Sequence, residues 1–357
     1  MNEIEIIGYK SIRELKLALR PINILIGANG SGKTNFLSFF NFLKQIYNKN
    51  LQEFVALKGI DTFLHKGDKV TEEISTHLYF PNTNGYSFTI KKGDAGFIFT
   101  KEGMWYGNNP YINNPINIAS YGNESVLREQ TMPRANYIRE YLNQLVKYHF
   151  HDTGENSPFN KESNIENDKF KLYEKGNNLA AFLYNIKNEN GITYNFIIKT
   201  IQSIAPYFSD FFLQPEANGN IKLRWQSKYC STIYGVNDLS DGTIRFIALA
   251  TLFLQPVLPQ TIIIDEPELG LHPSAIAKLA GLIKSASLKN CQIIIATQST
   301  DLISHFEPED IITVDQINGE SLFKRLSSET LQQWLEDYTI DDLWKRNIIG
   351  SGQPNFN

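Results

Sequence analysis

The chain has 357 residues, of which 42% are hydrophobic and 20% are charged, as expected for an ordinary globular protein with one large or two modest domains. Its 34 Lys+Arg and 38 Asp+Glu give a net charge of −4, so overall charge does not indicate a nucleic-acid-binding protein, although it is compatible with a local basic patch. Cys230 and Cys291 form no CxxC pair, the N-terminus lacks the pattern of a signal peptide, and the longest apolar run, 244–254, is too short to span a bilayer. These features predict a cytoplasmic protein with no disulfide scaffold and no membrane segment.

Hydrophobic spacing predicts strands around a glycine loop at the start of the chain. Ile4 and Ile6 alternate with acidic residues, which is the period of a half-buried strand. In chain order, the patterns predict strands near 4–6 and 15–19, a buried strand at 22–26, a helix at 35–47, a β-rich segment at 72–118 with a loop at 105–117, helical structure from 124 to 146, a mobile polar loop at 152–169, and helices at 179–186 and 197–204.

The last third of the chain alternates between helical and strand patterns. It predicts a helix at 243–254, a strand at 261–265, a helix at 274–287, strands at 292–297, 311–314 and 321–326, and a helix at 329–338. This alternation favours a largely parallel sheet with helices on its faces. No sustained heptad pattern occurs, which excludes long coiled-coil arms.

Residues 27–34 carry the strongest motif. The sequence Gly-Ala-Asn-Gly-Ser-Gly-Lys-Thr matches the P-loop pattern G-x-x-x-x-G-K-[ST] between a predicted strand and a predicted helix, a position that disfavours a chance glycine turn. Backbone N–H groups of such a loop wrap phosphates, and the N-terminus of the following helix attracts the same anion. We expect Lys33 to reach the β and γ phosphates of ATP, and the Thr34 hydroxyl to bind Mg²⁺. The predicted nucleotide-binding residues of this loop are Asn29, Gly30, Ser31, Gly32, Lys33 and Thr34.

An apolar run that ends in two acidic residues forms a second motif, of the Walker B type. The run is 261–264, and Asp265 and Glu266 follow it. Asp265 is expected to hold Mg²⁺, directly or through water, and Glu266 to act as the general base that polarises the attacking water. The alternative is a strand with a solvated acidic end, which the presence of a P-loop disfavours. Together the two motifs predict a magnesium–ATP hydrolysis site.

Residues 239–243, Leu-Ser-Asp-Gly-Thr, directly precede a predicted helix. Ser240 is a candidate N-cap, and Gly242 permits a close approach of the backbone to an anion. The spacing fits a capping element with or without phosphate binding.

In combination, these motifs resemble a known family. The P-loop followed by Asn35, the element at 239–243 and the sequence Asp265-Glu-Pro-Glu-Leu-Gly-Leu-His-Pro resemble the RecF/SMC-like branch of ABC-type ATPases. The similarity is greatest to stand-alone bacterial "AAA family" predicted ATPases, which are related to the ATPase part of overcoming-lysogenization-defect and anti-phage defence proteins. It extends over nearly the whole chain, with further similar segments at 148–152, 178–183, 336–338 and 343–354.

The resemblance implies an α/β P-loop NTPase fold, an ABC-type two-lobed ATPase head with a mostly helical insertion. Lobe I, with the P-loop and the β-rich part, is expected at 1–125. The helical insertion is expected at 126–224, and lobe II, with the signature and Walker B motifs, at 225–357.

The resemblance also implies an ATP-sandwiched homodimer, or a higher assembly, in which the signature of one subunit covers the nucleotide of the other. The implied signature residues are Leu239, Ser240, Asp241 and Gly242, with Asp241 where many relatives carry glycine. Residues 268–272 are the implied D-loop at the dimer seam. Gln298 takes the switch position, where many ABC proteins have histidine. It is expected to act in catalysis with Glu266 and Lys33, although an amide cannot carry a proton charge. Gln130 is a candidate Q-loop residue.

Four further features have two interpretations each. His149 and His151 beside Asp152 form either a metal pair or a structural hydrogen-bonding pair. Arg245 is placed either to contact a phosphate or to form a salt bridge. His272 is either a seam or capping residue or a base. The aromatic residues at 105–111 either stack on bases or pack in the core or in a loop.

The resemblance implies, as the first hypothesis, an ATP-gated switch in DNA repair or anti-phage defence. Its expected cofactors are ATP and Mg²⁺, and its expected partners are a second copy of the chain, a separate nuclease or Toprim-like effector, and possible DNA. One alternative is an assembly scaffold that binds ATP with little turnover, which Gln298 allows and Glu266 disfavours. Another is the nucleotide-binding subunit of a transporter, which the altered signature disfavours.

Overall fold

The computed structural model describes residues 1–107, 116–119 and 121–350, and these form two compact units. Unit 1 comprises Met1–Leu145 together with the C-terminal part from Glu307 onward, and unit 2 comprises Val146–Phe306. These boundaries follow chain contacts and differ from the three-part division at 125/126 and 224/225, which stays a prediction.

The helices and strands of the described residues are as follows. The α-helices are α1 (Lys33–Tyr47), α2 (Leu51–Lys58), α3 (Pro133–Asn143), α4 (Leu179–Glu189), α5 (Gly191–Gln202), α6 (Asp241–Leu254), α7 (Pro273–Ser287), α8 (Thr300–Ile303), α9 (Ser328–Leu335) and α10 (Ile340–Lys345). The strands are β1 (Glu3–Tyr9), β2 (Ile12–Ala18), β3 (Ile22–Ile26), β4 (Glu73–Tyr79), β5 (Asn84–Lys92), β6 (Phe97–Tyr106), β7 (Ile116–Ala119), β8 (Leu145–Tyr148), β9 (Ser163–Asn164), β10 (Phe208–Phe211), β11 (Asn220–Ile221), β12 (Trp225–Ser227), β13 (Ile233–Tyr234), β14 (Thr261–Asp265), β15 (Gln292–Thr297), β16 (Ile311–Ile317) and β17 (Glu320–Arg325).

Unit 1 contains an antiparallel sheet and a separate group of strands that leads into the P-loop. The antiparallel sheet has the order β2-β1-β4-β5-β6-β7. In the separate group, β3 pairs in parallel with β16, and β16 forms an antiparallel hairpin with β17. Strand β3 is buried along its whole length, as its unbroken apolar sequence predicts for a strand covered on both faces.

Helix α1 anchors the P-loop to the core of unit 1 through aromatic side chains. Its four phenylalanines are each no more than 1% exposed: Phe36, Phe39, Phe40 and Phe42. Tyr9 of β1 packs against Phe39 and Phe42 with ring centroids 5.2 and 5.3 Å apart. Burial of each ring is worth about 2–3 kcal/mol, so the start of this helix is held firmly in place.

Unit 2 is built around the parallel pair β14 and β15 and the buried helix α6. Asp265 at the end of β14 lies opposite Ala296 of β15 in the register of the pair. Helix α6 is buried from Thr243 to Leu254, which is the pattern of a core helix. Short antiparallel strands complete the unit in two groups, β10-β12-β13 and β11-β9.

Most of the predicted elements are present, and two segments differ. The strands at 22–26, 261–265 and 292–297 have the predicted bounds. The helical prediction for 124–146 is wrong at its end, because α3 stops at Asn143 and residues 145–148 form β8. The loop predicted at 105–117 is bounded by β6, which runs to Tyr106, and by β7, which starts at Ile116. Residues 108–115 between them lie outside the described part of the chain.

The segment 126–224, predicted to be mostly helical, holds α3, α4 and α5 with short strands between them. The polar stretch 152–169 contains a short 3₁₀ helix and strand β9, and its mobility stays a prediction. Within the described ranges, every helix is too short or too polar to cross a membrane.

Candidate functional site

The P-loop lies at the C-terminal end of β3, where the chain turns into α1. Gly32 is the N-cap of α1 and has φ +112°, a conformation that side-chain-bearing residues rarely adopt. Asn29 and Gly30 are exposed at the outer side of the loop, whereas Ser31 is buried. The predicted turn from a buried strand into a helix N-terminus is therefore present, and such a turn is suited to binding an anion.

Lys33 is turned inward against its own loop. Its side chain is 6% exposed, and Nζ donates to the carbonyl oxygens of Gly27 at 2.5 Å and Ala28 at 2.9 Å. A buried ammonium group needs oxygen partners, and phosphate oxygens offer the same contacts with a full negative charge. The loop thus holds a cation where the motif predicts one.

The residues predicted to bind the nucleotide carry, each within its own unit, groups that suit a phosphate or Mg²⁺. The hydroxyl of Ser31 is buried without a hydrogen-bond partner among the described residues, and the side chain of Thr34 is exposed. Asp265 in unit 2 is half-buried and supplies a carboxylate. Hydroxyl and carboxylate oxygens are the ligands that Mg²⁺ prefers. In unit 1 the loop supplies backbone donors and a cation, which match a phosphate chain.

The acidic end of β14 meets the end of β15 because the carboxyl ends of parallel strands lie at one edge of a sheet. Glu266 directly follows β14, and Gln298 directly follows β15. The Gln298 Nε2 amide donates to Glu266 Oε1 at 2.9 Å, so the structure brings together the predicted base and the predicted switch residue. This bond orients the carboxylate of Glu266.

The backbone of Glu266 is unusual. Its φ is +42°, in the left-handed region that glycine favours, and its N–H donates to the carbonyl of Ala296 at 2.7 Å. This conformation costs energy in a residue other than glycine, and residues strained in this way cluster at functional sites. The unusual backbone angle changes the direction of the chain at Glu266, the residue whose carboxylate accepts a hydrogen bond from Gln298.

Glu268, the first residue of the implied D-loop, is a buried carboxyl group to which sequence reasoning assigned no role of its own. It is 8% exposed, and its Oε1 accepts a short hydrogen bond from the Thr297 hydroxyl, while its Oε2 is buried without a partner among the described residues. Burial raises the pKa of Glu268 to about 7. Its burial had no signal in the sequence, because Glu268 closely follows Asp265 and Glu266 in an acidic stretch.

The element at 239–243 forms the start of α6. Ser240 is its N-cap and its hydroxyl accepts from the backbone N–H of Thr243 at 3.2 Å, which confirms the predicted capping role. Gly242 lies against the D-loop, because an added Cβ would come within 2.4 Å of the Gly270 carbonyl oxygen. Leu239 is buried, whereas Ser240 and Asp241 are exposed and accessible to another molecule.

Arg245 binds backbone carbonyls and makes no salt bridge among the described residues, and its predicted phosphate contact stays a prediction. It is 5% exposed and donates to three backbone carbonyls: Nε to Phe150 at 3.1 Å, Nη2 to His151 at 3.1 Å, and Nη1 to Leu269 through a short bond. A single guanidinium group therefore joins helix α6, the 268–272 segment and the 148–152 segment.

The remaining candidates are resolved as follows. The rings of His149 and His151 lie 4.6 Å apart, but the described residues contain no group of three or more His, Cys, Asp or Glu side chains that could hold a metal. His272 caps α7, accepting from the Ser274 N–H at 3.3 Å. Trp105 is 1% exposed and packs against Tyr79, whereas Tyr106 is 58% exposed and Tyr111 lies outside the described residues, so base stacking by this cluster stays a prediction.

Gln130 follows a short 3₁₀ helix, and its carbonyl accepts from Arg139 at 2.7 Å. Its Q-loop role stays a prediction.

Solved structures show which fold this chain has. The SmcHead bound to the C-winged helix domain of ScpA is similar with a TM-score of 0.61 and 18% identity, over 93% of this chain and 99% of that one. An Smc head domain with an extended coiled coil, bound to the C-terminal domain of ScpA derived from Pyrococcus furiosus, has a TM-score of 0.57 and 15% identity, over 94% of this chain and 98% of that one. The predicted ABC-type, SMC-like P-loop ATPase fold is confirmed.

Sequence comparison adds a local match and a family. The tungstate uptake system ATP-binding protein TupC of Campylobacter jejuni is 36% identical over 89 residues, which are 25% of this chain and 23% of TupC. The chain thus spans about a quarter of the length of this curated relative. A family model, AAA_21, described as "AAA domain, putative AbiEii toxin, Type IV TA system", matches residues 22–304, well over half of the chain. The chain therefore belongs to the AAA_21 family.

Proposed function

We propose that this chain binds Mg²⁺–ATP and hydrolyses it to ADP and phosphate, with Glu266 as general base. The observation that carries the proposal is the Gln298–Glu266 hydrogen bond of 2.9 Å beside the Walker B strand, in a chain whose P-loop has a complete motif. An oriented carboxylate next to a nucleotide site is what proton abstraction from water needs.

Each residue of the two motifs has a separate task in this proposal. Lys33 would exchange its loop carbonyls for the β and γ phosphates, and residues 29–34 would offer their backbone N–H groups to the same phosphates. Thr34 and Asp265 would hold Mg²⁺, which neutralises charge on the phosphates. The P-loop belongs to unit 1 and Asp265 to unit 2, so the proposal requires both units to act on one nucleotide.

Glu266 would accept a proton from the attacking water, and Gln298 would keep the carboxylate aimed. Because an amide carries no proton charge, Gln298 can orient groups but cannot relay a proton. ATP hydrolysis would then be slow. A chain that binds ATP but hydrolyses it slowly fits the alternative function, an ATP-dependent assembly scaffold.

Steady-state turnover and ATP affinity together test the assignment. Glu266→Gln should bind ATP as the wild type does and hydrolyse it ~10²–10⁴-fold more slowly, the usual loss for a positioned base. Glu189→Gln, at an exposed residue at the end of α4, is the matched control and should be unaffected. Lys33→Ala should abolish tight binding in calorimetry. Equal turnover in Glu266→Gln and wild type would disprove the role of Glu266, and unchanged affinity in Lys33→Ala would disprove the site.

We further propose that ATP drives or tightens a homodimer. The exposed positions of Ser240 and Asp241 at the start of α6 support this, because a signature that contacts a second copy must be accessible. A two-fold axis would give two equivalent sites, each made by both copies, and a ligand that contacts both subunits stabilises the dimer.

Two substitutions at Ser240 separate its helix cap from its dimer contact. Ser240→Ala removes the cap alone, at a cost of ~1 kcal/mol. Ser240→Arg also adds bulk and charge at the proposed interface. With Glu266→Gln as background, light scattering should show an ATP-dependent dimer that Ser240→Arg blocks and Ser240→Ala preserves. If the dimer is constitutive, a P-loop-to-signature cross-link that depends on ATP is the readout. If Ser240→Arg and Ser240→Ala have the same effect on the dimer, residues 239–243 act only as a helix cap and make no dimer contact.

For the biological role, we propose a switch in anti-phage defence or DNA repair that acts through a separate effector such as a nuclease. Membership of a family whose description includes a toxin of a toxin–antitoxin system supports a defence role. Expression of wild type and Glu266→Gln in a phage-challenged host tests it, with co-purified proteins identified by mass spectrometry. Protection that requires Glu266 and an associated nuclease supports the proposal, whereas a co-purified membrane permease would favour a transporter subunit.

A further inference from the structure

A serine distant in sequence from the P-loop lies against it within unit 1. Ser321 is the second residue of β17 and is 2% exposed. Its Oγ lies 2.7 Å from the carbonyl oxygen of Ser31 and 2.7 Å from the hydroxyl of Ser11, in the turn between β1 and β2. A hydroxyl has one hydrogen, so Ser321 can donate to Ser31 while it accepts from Ser11.

Additional contacts fix this serine relative to α1. The backbone N–H of Ser321 donates to the carbonyl of Ser11 at 2.7 Å, and Asn35 in the first turn of α1 donates to the Ser11 hydroxyl at 2.8 Å. Gly32 leaves the space that the serine fills, because a Cβ at Gly32 would lie 1.9 Å from Ser321 Oγ. Ser321 is therefore buried against the loop at Ser31 and Gly32.

These contacts act on the P-loop backbone at the place where it must be rigid. Ser31 precedes Gly32, and the N–H groups that follow are the ones that such loops offer to phosphates. A donor to the Ser31 carbonyl restricts rotation of the peptide between residues 31 and 32. Strand β16 of the same hairpin pairs with β3, which leads into the loop, so the hairpin touches both ends of it.

We propose that Ser321 is a positioning residue of the nucleotide site, which holds the Ser31–Gly32 peptide in the conformation that receives ATP phosphates. This inference rests on the proposed ATP binding. Ser321 would act through the P-loop backbone, and its loss would weaken ATP binding while it leaves the hydrolytic step, assigned to Glu266, intact.

Two substitutions at Ser321 remove its hydrogen bond in different ways. Ser321→Ala deletes the hydroxyl, and Ser321→Cys keeps a side chain of similar shape with only a weak donor. In both, the Kd and the KM for ATP should rise roughly 3- to 10-fold, the effect of losing one hydrogen bond, whereas kcat should stay within about two-fold. Ser321→Thr, which retains the hydroxyl, should restore most of the affinity. Ser75→Ala is the matched control, because Ser75 makes one hydroxyl contact, to Thr89 at 3.2 Å, in the antiparallel sheet of unit 1.

If the Ser321 variants fail to fold, the ATP affinity of Ser11→Ala tests the proposal instead. This substitution should also weaken ATP binding, and the double variant Ser11→Ala/Ser321→Ala should be less impaired than the product of the single effects. Calorimetry with ATP and urea unfolding are measured on the full chain for every variant. A lowered urea midpoint with an unchanged Kd would mean that Ser321 is only structural, and an unchanged Kd in both single variants would overturn the inference. If the wild type itself binds no ATP, the proposed function fails instead.

Discussion

Replacing Arg245 by alanine removes a buried cation that joins three segments of unit 2. The carbonyls of Phe150, His151 and Leu269 would lose their guanidinium donor. An orphaned buried polar group costs about 1–3 kcal/mol, and water can enter the space that the side chain leaves. We therefore expect a loss of about 3–5 kcal/mol, a large part of the ~5–15 kcal/mol that stabilises a typical protein.

Urea unfolding followed by circular dichroism measures this loss, and hydrogen exchange locates it. Protection should fall most in 148–152 and 265–272 of the Arg245→Ala variant. Arg139→Ala is the matched control, because Arg139 donates to the carbonyls of Arg128 and Gln130, each at 2.7 Å, but is only half-buried. Its loss should cost about 1 kcal/mol, since water can replace it. Equal destabilisation by the two substitutions would refute the reasoning.

The remaining predictions concern single groups of unit 2. Burial raises the pKa of Glu268 to about 7 from its usual 4.5, so stability that is fully present below pH 4.5 should fall as pH rises through 7. The urea midpoint should show this fall, and Glu268→Gln should abolish it; a flat profile in the wild type would contradict the shift. Cys230 is exposed, and Cys291 is buried with its thiol pKa raised to about 12. A maleimide should thus modify one thiol in the native protein and both in denaturant, as mass spectrometry would show, and two native adducts would contradict the burial. Gly242→Ala should lower the unfolding temperature, because its Cβ would lie 2.4 Å from a D-loop carbonyl; an unchanged temperature would show that the D-loop moves without cost.

The sequence predicted those elements in which local pattern and local conformation agree. Residues 261–264 and 293–297 are unbroken runs of β-branched and apolar residues, and the strands 261–265 and 292–297 that contain them have the predicted bounds. The P-loop was predicted because a fixed spacing of glycines and lysine has one known use.

The misassigned segments are those in which two periods compete. Leu142, Leu145 and Val146 have helical spacing, yet α3 ends at Asn143 and the last two residues belong to a strand. Pairing with distant residues decides such short segments, and no local pattern records it.

Contacts between distant residues were equally inaccessible to sequence reasoning. Arg245 was expected to find a phosphate or an acid, and it binds three carbonyls that only the folded chain brings together. Ser321 contacts Ser31 across 290 positions. The sequence around Ser321 does not indicate this contact, because the role of the serine depends on the Ser31 carbonyl, which only the folded chain brings next to it.

The discontinuous path of unit 1 has a consequence for a nascent chain on the ribosome. Strand β3 emerges early, but its parallel partner β16 begins at Ile311. At roughly 5–20 residues per second, translation leaves this edge of β3 without its partner for roughly 15–60 s. Unit 2 is continuous in sequence and can pack within that interval. Synthesis order would therefore make a competent P-loop one of the last features to form, and would keep incomplete chains from capturing nucleotide.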